Sequence, residues 1–272
     1  LTQAFAPQRL RQTVLRMAYA GSSVHVACAF SIIEICAVLY RSHLRFPGNQ
    51  PNASERDHFV LSKGHGVMAQ YACLLEKGWI QEHEIDTYFS DGSRLKGLSD
   101  VHVPGCEVTS GSLGHGLPVA VGLALAAKLR SSDQRCFCVV GDGEMNEGSM
   151  WEAMLVAAHH KLDNLVVVVD ENGFQAMGRT AEVLSLQDLG AKFTAFGFEV
   201  TCVDGHDETA LDTAFTKASQ ARNGSPKAVI ARTVKGKGVS FMEHDNAWHY
   251  TRLSADSYAR SLREVGVCGD PA

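Results

Sequence analysis

Asp142 stands between two glycines in Gly141-Asp142-Gly143, and Asn172 follows further along the chain. A carboxylate and an amide oxygen are hard ligands suited to Mg²⁺ or Ca²⁺, with water and a bound phosphate completing the shell. A hydrophobic segment, Cys136 to Val140, runs into the glycine turn. A second, Leu165 to Val169, ends at Asp170-Glu171-Asn172. As parallel strands joined by a helix, their ends open on one edge of the sheet, where open α/β sheets take their ligands. The pattern therefore predicts a diphosphate cofactor carried on a divalent metal. Lys63, His65, Lys235 and His249 read as donors to such an anion, each beside small residues at a predicted strand end. Any one alone reads as a solvated surface residue; together they point to a site.

Those side chains need a frame of alternating strands and helices. Residues 7–20 have the spacing of an amphipathic helix, and Ser31-Ile32-Ile33-Glu34 has the form of a capping box opening a helix to about Ser42. Phe59-Val60-Leu61 predicts a strand leading into Ser62-Lys63-Gly64-His65-Gly66 and a helix to about Glu76. The glycine-rich run Thr109 to Gly116 precedes a helix from Pro118 through Lys128. Later segments predict a helix near 187–196, a strand near 198–203, a helix to Ala221 and a strand from Ala228 to Thr233. The expected fold is α/β, a parallel sheet with helices on both faces, in one domain spanning 1–272.

Glycines in Gly111-Ser112-Leu113-Gly114-His115-Gly116 are spaced unlike a dinucleotide-binding turn, and no clear strand precedes them. A backbone lying close against a flat ring explains them better. A net charge of −5 gives no electrostatic case for nucleic acid or an anionic membrane. No apolar run is long enough to span a bilayer, and the first twenty residues show no signal-peptide core, so a cytoplasmic protein is expected. The eight cysteines form no CxxC pair and read as buried reduced thiols; Cys136 and Cys138 would share one face of a strand. His25 lies in an apolar stretch that suits a core histidine as well as a site, while His102, His115 and His206 stay open.

Taken together, residues 9–255 resemble the N-terminal subunit of a split, two-component transketolase, a thiamine-diphosphate enzyme. The carriers are Leu61 to Gly66, Thr109 to Gly116, the Asp142…Asn172 pair, Asp204 to Asp207, Lys235-Gly236-Lys237-Gly238 and Trp248-His249. The resemblance implies that Asp142, Asn172 and the carbonyl of Phe174 hold the metal. Gly143 and Asn172 would touch the diphosphate, with Lys63, His65 and Lys235 beside it. Gly111, Ser112 and Leu113 would line the cofactor, and Cys28 belongs to the same binding set. His25, His65 and His249 would surround the reacting groups and move protons, and Glu147 would meet a partner across an interface. The implied reaction transfers a two-carbon ketol unit between a ketose-type donor and an aldehyde acceptor, with sugar or sugar-phosphate-like substrates.

The resemblance covers only a diphosphate-binding half. It implies a separate C-terminal, pyrimidine-binding subunit, most simply in an α2β2 heterotetramer, and an inactive lone chain. Three departures point to a specialised substrate. Val24-His25-Val26-Ala27 replaces a glycine-flanked histidine turn, Tyr250 stands where glycine is usual, and Leu98 stands where a histidine is usual unless His102 substitutes. Two alternatives are the α-subunit of a 2-oxo-acid dehydrogenase decarboxylase component and a non-catalytic relative retaining the fold.

Overall fold

The computed structural model describes residues 4–22 and 24–266. Among these described residues seven strands form: β1 (His58–Leu61), β2 (Cys136–Gly141), β3 (Leu165–Glu171), β4 (Phe174–Gln175), β5 (Gly178–Arg179), β6 (Glu199–Asp204) and β7 (Lys227–Arg232). Five of them make a parallel sheet in the order β1-β2-β3-β7-β6; β4 and β5 make a small antiparallel ribbon beside it.

Side chains alternate across the sheet with period two. Phe59, Leu61, Phe137, Val139, Val166, Val168, Val229 and Ala231 enter one core; Val60, Cys138, Val140, Val167, Val169, Ala228 and Ile230 enter the other. Both faces are thus apolar, which is why the strands read as continuous hydrophobic runs. Helices Pro7–Ala20, Ile33–Val38, Val67–Glu76 and Glu208–Gln220 cover the first face. Gly116–Leu129, Gly148–His159 and Leu189–Ala195 cover the second. The chain steps from β1 through β3 to the far edge, entering β2, β3 and β6 from Gly116–Leu129, Gly148–His159 and Leu189–Ala195 on the second face; Val67–Glu76, after β1, packs on the first. The chain then returns to β7 through Glu208–Gln220 on the first, the change of face that a constant crossover hand requires.

Two local expectations are corrected. Ser31 does not cap a helix: a five-residue helix, Val26–Phe30, ends there, and the hydroxyl instead donates to Asp170 Oδ2 at 2.7 Å. Glu34 is drawn to Arg11 and His206, not back to the chain start of its helix. Cys202 is exposed because β6 is an edge strand, whereas Cys28, Cys36, Cys73, Cys106, Cys136 and Cys138 are buried. Cys268 lies outside the described residues.

At the lower edge of the sheet, the fully buried Asp57 binds the starts of β1 and β2 together. Its carboxylate accepts from the Arg45 guanidinium at 2.8 Å and from the amides of Arg45 and Arg135 at 3.1 and 2.8 Å. Asp57→Ala leaves these donors without an anion and should cost about 3 kcal/mol or more of stability, read as a fall in the urea midpoint. A midpoint within error of the parent would show that the edge holds without it.

Candidate functional site

All five strands point their C-terminal ends the same way, and those ends build the site. Gly141 pairs in register with Asp170, and Asp170 with Ala231, so Asp142, Asn172 and the segment after β7 share one edge. They line a cavity of about 580 Å³ together with His25, Cys28, Lys63, His65, Gly111, Leu113, Gly143, Glu147, Phe174, Lys235 and His249. The strand tips therefore bring the two proposed metal ligands to one wall, as the spacing of the motif predicts.

Asp142 is almost wholly buried, and its oxygens accept from the amides of Gly143 and Gly173 at 2.8 and 2.7 Å. Among the described residues it has no ion-pair partner. Burial, and then the neighbouring Asp170 charge, raise its pKa to about 7. Asn172 Oδ1 faces the Phe174 amide at 3.0 Å, while its Nδ2 donates to Asp170 at 2.8 Å. The amide group is thereby oriented with its oxygen towards the turn.

Asp170 is an anchor that the motifs do not reveal. Its carboxylate accepts from Lys63, Ser31, Thr233 and Asn172 and is fully buried. Burial opposes both charges, yet the ion pair wins: Lys63 is raised above the ordinary lysine range and Asp170 is held below the carboxylate range. Lys63 also donates to Cys28 O at 3.2 Å. Its ammonium thus turns inward, away from a direct role on an anion in the cavity.

Glu144 is likewise silent in the sequence. It accepts from Ser62 at 2.6 Å, from the Gly114 amide at 2.9 Å and from the Gly141 amide at 3.2 Å, joining the tips of β1 and β2 to the glycine-rich loop. That loop is pressed against β1: a Cβ on Gly64 would lie 2.7 Å from the Ser110 carbonyl oxygen. Gly111 and Leu113 reach the cavity wall; Ser112 does not, because it faces solvent between them. Glu147 sits exposed at the rim.

His249 is not at a strand end. The short turn Asn246–Trp248 carries it, and an antiparallel bridge between Val24 and Thr251 holds it near His25. Ring centroids of His25, His65 and His249 lie 5.2–5.7 Å apart. Lys235 donates to His249 Nδ1 at 2.9 Å and to Asn246 Oδ1 at 2.7 Å, which leaves the imidazole proton on Nε2. Cys28 Sγ lies 3.6 Å from the same Nδ1. Burial first, and then the charges of Lys63 and Lys235, lower His25 to about 4. Burial and Lys235 lower His249 to about 3, and burial holds His65 well below the usual range. All three imidazoles are neutral at pH 7.

Of the open histidines, none joins the site. His206 is locked between Glu34 at 2.9 Å and the Val234 amide at 2.8 Å. His115 is exposed and leans on the Ser112 and Leu113 carbonyls. His102 is exposed against Asp100 at 2.7 Å and does not replace Leu98. Leu98 lines both the main cavity and a second one of about 370 Å³, shared with Val24, His25, Phe89, Lys96, Gly97 and Tyr250.

The donor set fits a metal diphosphate. A buried carboxylate lacks a cation, and Lys235, 1% exposed, lacks a carboxylate among the described residues. A divalent ion beside the first and a diphosphate beside the second would satisfy both. No group of three or more His, Cys, Asp and Glu side chains is placed to hold a metal among the described residues, so one carboxylate would act with neutral oxygens. No helix among them is long and apolar enough to cross a membrane.

Residues 8–271 match the family described as transketolase, thiamine diphosphate binding domain. An apulose-4-phosphate transketolase subunit of Phocaeicola vulgatus is 38% identical over 258 residues, covering 95% of this chain and 92% of that protein. The 6-deoxy-6-sulfo-D-fructose transketolase subunit SqwG of a Clostridium species is 37% identical, covering 89% of this chain and 88% of that one. Transketolase from Leishmania mexicana superposes with a TM-score of 0.88 at 29% identity, over 96% of this chain. The chain spans about 40% of the length of that solved transketolase. These matches do not favour the decarboxylase alternative. With its sheet edge, cavity and sequence in agreement, the chain belongs to the transketolase family, in its thiamine diphosphate-binding domain.

Proposed function

We propose that this chain is the diphosphate-binding subunit of a two-component transketolase that moves a two-carbon ketol unit from a ketose-type donor to an aldehyde acceptor. The observation carrying this reading is that one cavity is lined by the buried Asp142 carboxylate and the buried Lys235 ammonium, neither of which has an ion-pair partner among the described residues. Asp142, Asn172 Oδ1 and the Phe174 carbonyl would hold Mg²⁺, with Ca²⁺ an equally hard substitute. Gly143, Asn172, His65, Lys235 and His249 would receive the diphosphate, with Gly111, Leu113 and Cys28 along the ring. Thiamine diphosphate, when bound, supplies the carbanion and electron sink for breaking the ketose carbon–carbon bond.

The chain's own residues then position protons. His249, fixed through Nδ1 by Lys235, presents Nε2–H to a substrate oxygen. His25 faces the same space and accepts or returns a hydroxyl proton. Their low pKa values belong to the cofactor-free cavity, where two lysines act on them. An anion paired with Lys235 would lift both imidazoles towards a useful range.

A partner is needed to close the site. Leu98, Met177, Val183 and Leu184 line the mouth of the cavity with their apolar side chains exposed. Such a rim suits a pyrimidine-binding subunit laid over it, in an α2β2 arrangement with Glu147 at the contact. The curated relatives of similar length are themselves named as subunits. One sheet with its two cores supports a single domain over 1–272, and free, mostly buried cysteines support a cytoplasmic setting. The apolar annexe formed by Val24, Phe89, Leu98 and Tyr250 beside His25 supports a specialised substrate.

Three substitutions check this reading, with binding and turnover measured in the complex reconstituted with its partner. Asp142→Ala should weaken Mg²⁺-dependent thiamine diphosphate binding at least about 100-fold by calorimetry; retained affinity removes the metal assignment. His249→Gln should lower kcat roughly 10²–10⁴-fold. The same change tests charge, because unfolded histidines take up protons below about pH 6.5 while folded His25 and His249 stay neutral down to about 4 and 3. The folded state binds fewer protons in that window, so stability is lost as pH falls through it. The urea midpoint of the cofactor-free protein should drop between pH 6.5 and 4, and less steeply in His249→Gln; identical slopes would place the proton elsewhere. Finally, Leu98→His should raise kcat/KM for xylulose 5-phosphate with ribose 5-phosphate by roughly tenfold. No gain would mean that Leu98 does not discriminate among substrates.

A further inference from the structure

Gln175 follows Phe174 on β4 and pairs across the ribbon with Gly178. No motif draws attention to it. Its side chain lies over the Gly141-Asp142-Gly143 turn: a Cβ built on Gly143 would sit 2.7 Å from Gln175 Cβ and 3.5 Å from its Oε1. Gly143 must therefore lack a side chain for Gln175 to occupy this place. Gln175 lines the main cavity beside Asp142, Gly143 and Asn172.

Its Nε2 is buried and has no hydrogen-bond partner among the described residues. A buried amide donor left unpaired loses its water without replacement, at a cost comparable to a lost hydrogen bond. The other side-chain atoms in this condition belong to His58, Gln70, Asn164 and Ser219, none of which lines the cavity. Asp142 and Asn172 Oδ1 accept from backbone amides, and neither lies within hydrogen-bond reach of Nε2. An amide nitrogen of this kind is a donor only, so what completes it is an oxygen with lone pairs to give. It is not a metal ligand.

We propose that Gln175 is a further diphosphate-binding residue, its Nε2–H donating to a phosphate oxygen of the cofactor. This assignment rests on the thiamine diphosphate reading above. It has an unusual corollary. The amide burdens the cofactor-free protein and is relieved only when the anion arrives, so deleting it should move stability and affinity in opposite directions.

Gln175→Met keeps the length of the side chain and removes the amide. In the complex with its partner, the cofactor-free Gln175→Met form should melt roughly 2–4 °C above the parent. Its Kd for thiamine diphosphate with Mg²⁺, by calorimetry, should weaken about tenfold. Inorganic pyrophosphate with Mg²⁺, which carries the anion without the rings, should lose affinity by the same factor. Gln175→Glu, which sets a negative charge against the phosphates, should bind more weakly than Gln175→Met. If the Met form gains stability but binds both ligands as the parent does, Nε2 serves a structural water only and the proposal fails. If the parent complex itself binds neither ligand, the functional reading fails and this assignment with it. Parental binding with an unaffected variant overturns Gln175 alone.

Discussion

The buried carboxylate of Asp170 holds the site together. Lys63 comes from the tip of β1, Ser31 from the turn after the first short helix, Thr233 from the end of β7 and Asn172 from the residue pair beyond β3. Four separate segments thus meet on two oxygens. Taking a carboxylate and an ammonium out of water is costly, and their attraction offsets this only when the remaining lone pairs are satisfied. Here they are, by two hydroxyls and an amide. The geometry of Asn172 follows from this: its Nδ2 is committed to Asp170, which leaves its oxygen to accept from the Phe174 amide.

A second consequence concerns charge. Because Lys63 is paired with Asp170, the Asp142 carboxylate and the Lys235 ammonium both line the cavity without an ion-pair partner among the described residues. Asp142 sits on the strand-tip wall, and Lys235 sits beside the imidazoles and Asn246. Lined by both signs of charge, the cavity is receptive to a dication beside Asp142 and an anion beside Lys235. It also accounts for the neutral histidines, since a buried imidazole beside ammonium groups does not hold a second positive charge.

Much of this is legible in the sequence, and the exceptions have physical reasons. The strands declare themselves because both faces are buried, which leaves hydrophobic runs ending at glycine or acidic residues. The Asp142…Asn172 pair is legible because one helix separates adjacent parallel strands. Asp170 and Glu144 are not, since their importance depends on which distant tips come together. Asp170 carries one signal, as the inward position closing a valine run. The capping pattern at Ser31 misleads for the same reason: a local partner competes with a buried carboxylate, and the carboxylate wins. His249 reads as a strand-end residue like Lys235, whereas a bridge between residues far apart in sequence delivers it.

Depth explains how such a site tolerates unusual residues around His25 without losing its shell. Asp142, Lys63 and Lys235 are buried, and Lys63 is paired with Asp170, so removing Lys63 strands a carboxylate away from water. Leu98 and Tyr250, by contrast, are 39% and 55% exposed and make few polar commitments. A leucine in place of a hydrogen-bonding side chain there leaves the metal and diphosphate walls untouched. Leu98 also packs on Gly111 in the main cavity, so on the proposed reading it would touch both the cofactor wall and the substrate space. Discrimination at this rim then depends on whether a substrate hydroxyl finds a partner, because a hydroxyl buried against Leu98 and Val24 goes unsatisfied while an apolar substituent does not. On the proposed reading, the inner network would hold the cofactor and the outer annexe would meet the substrate.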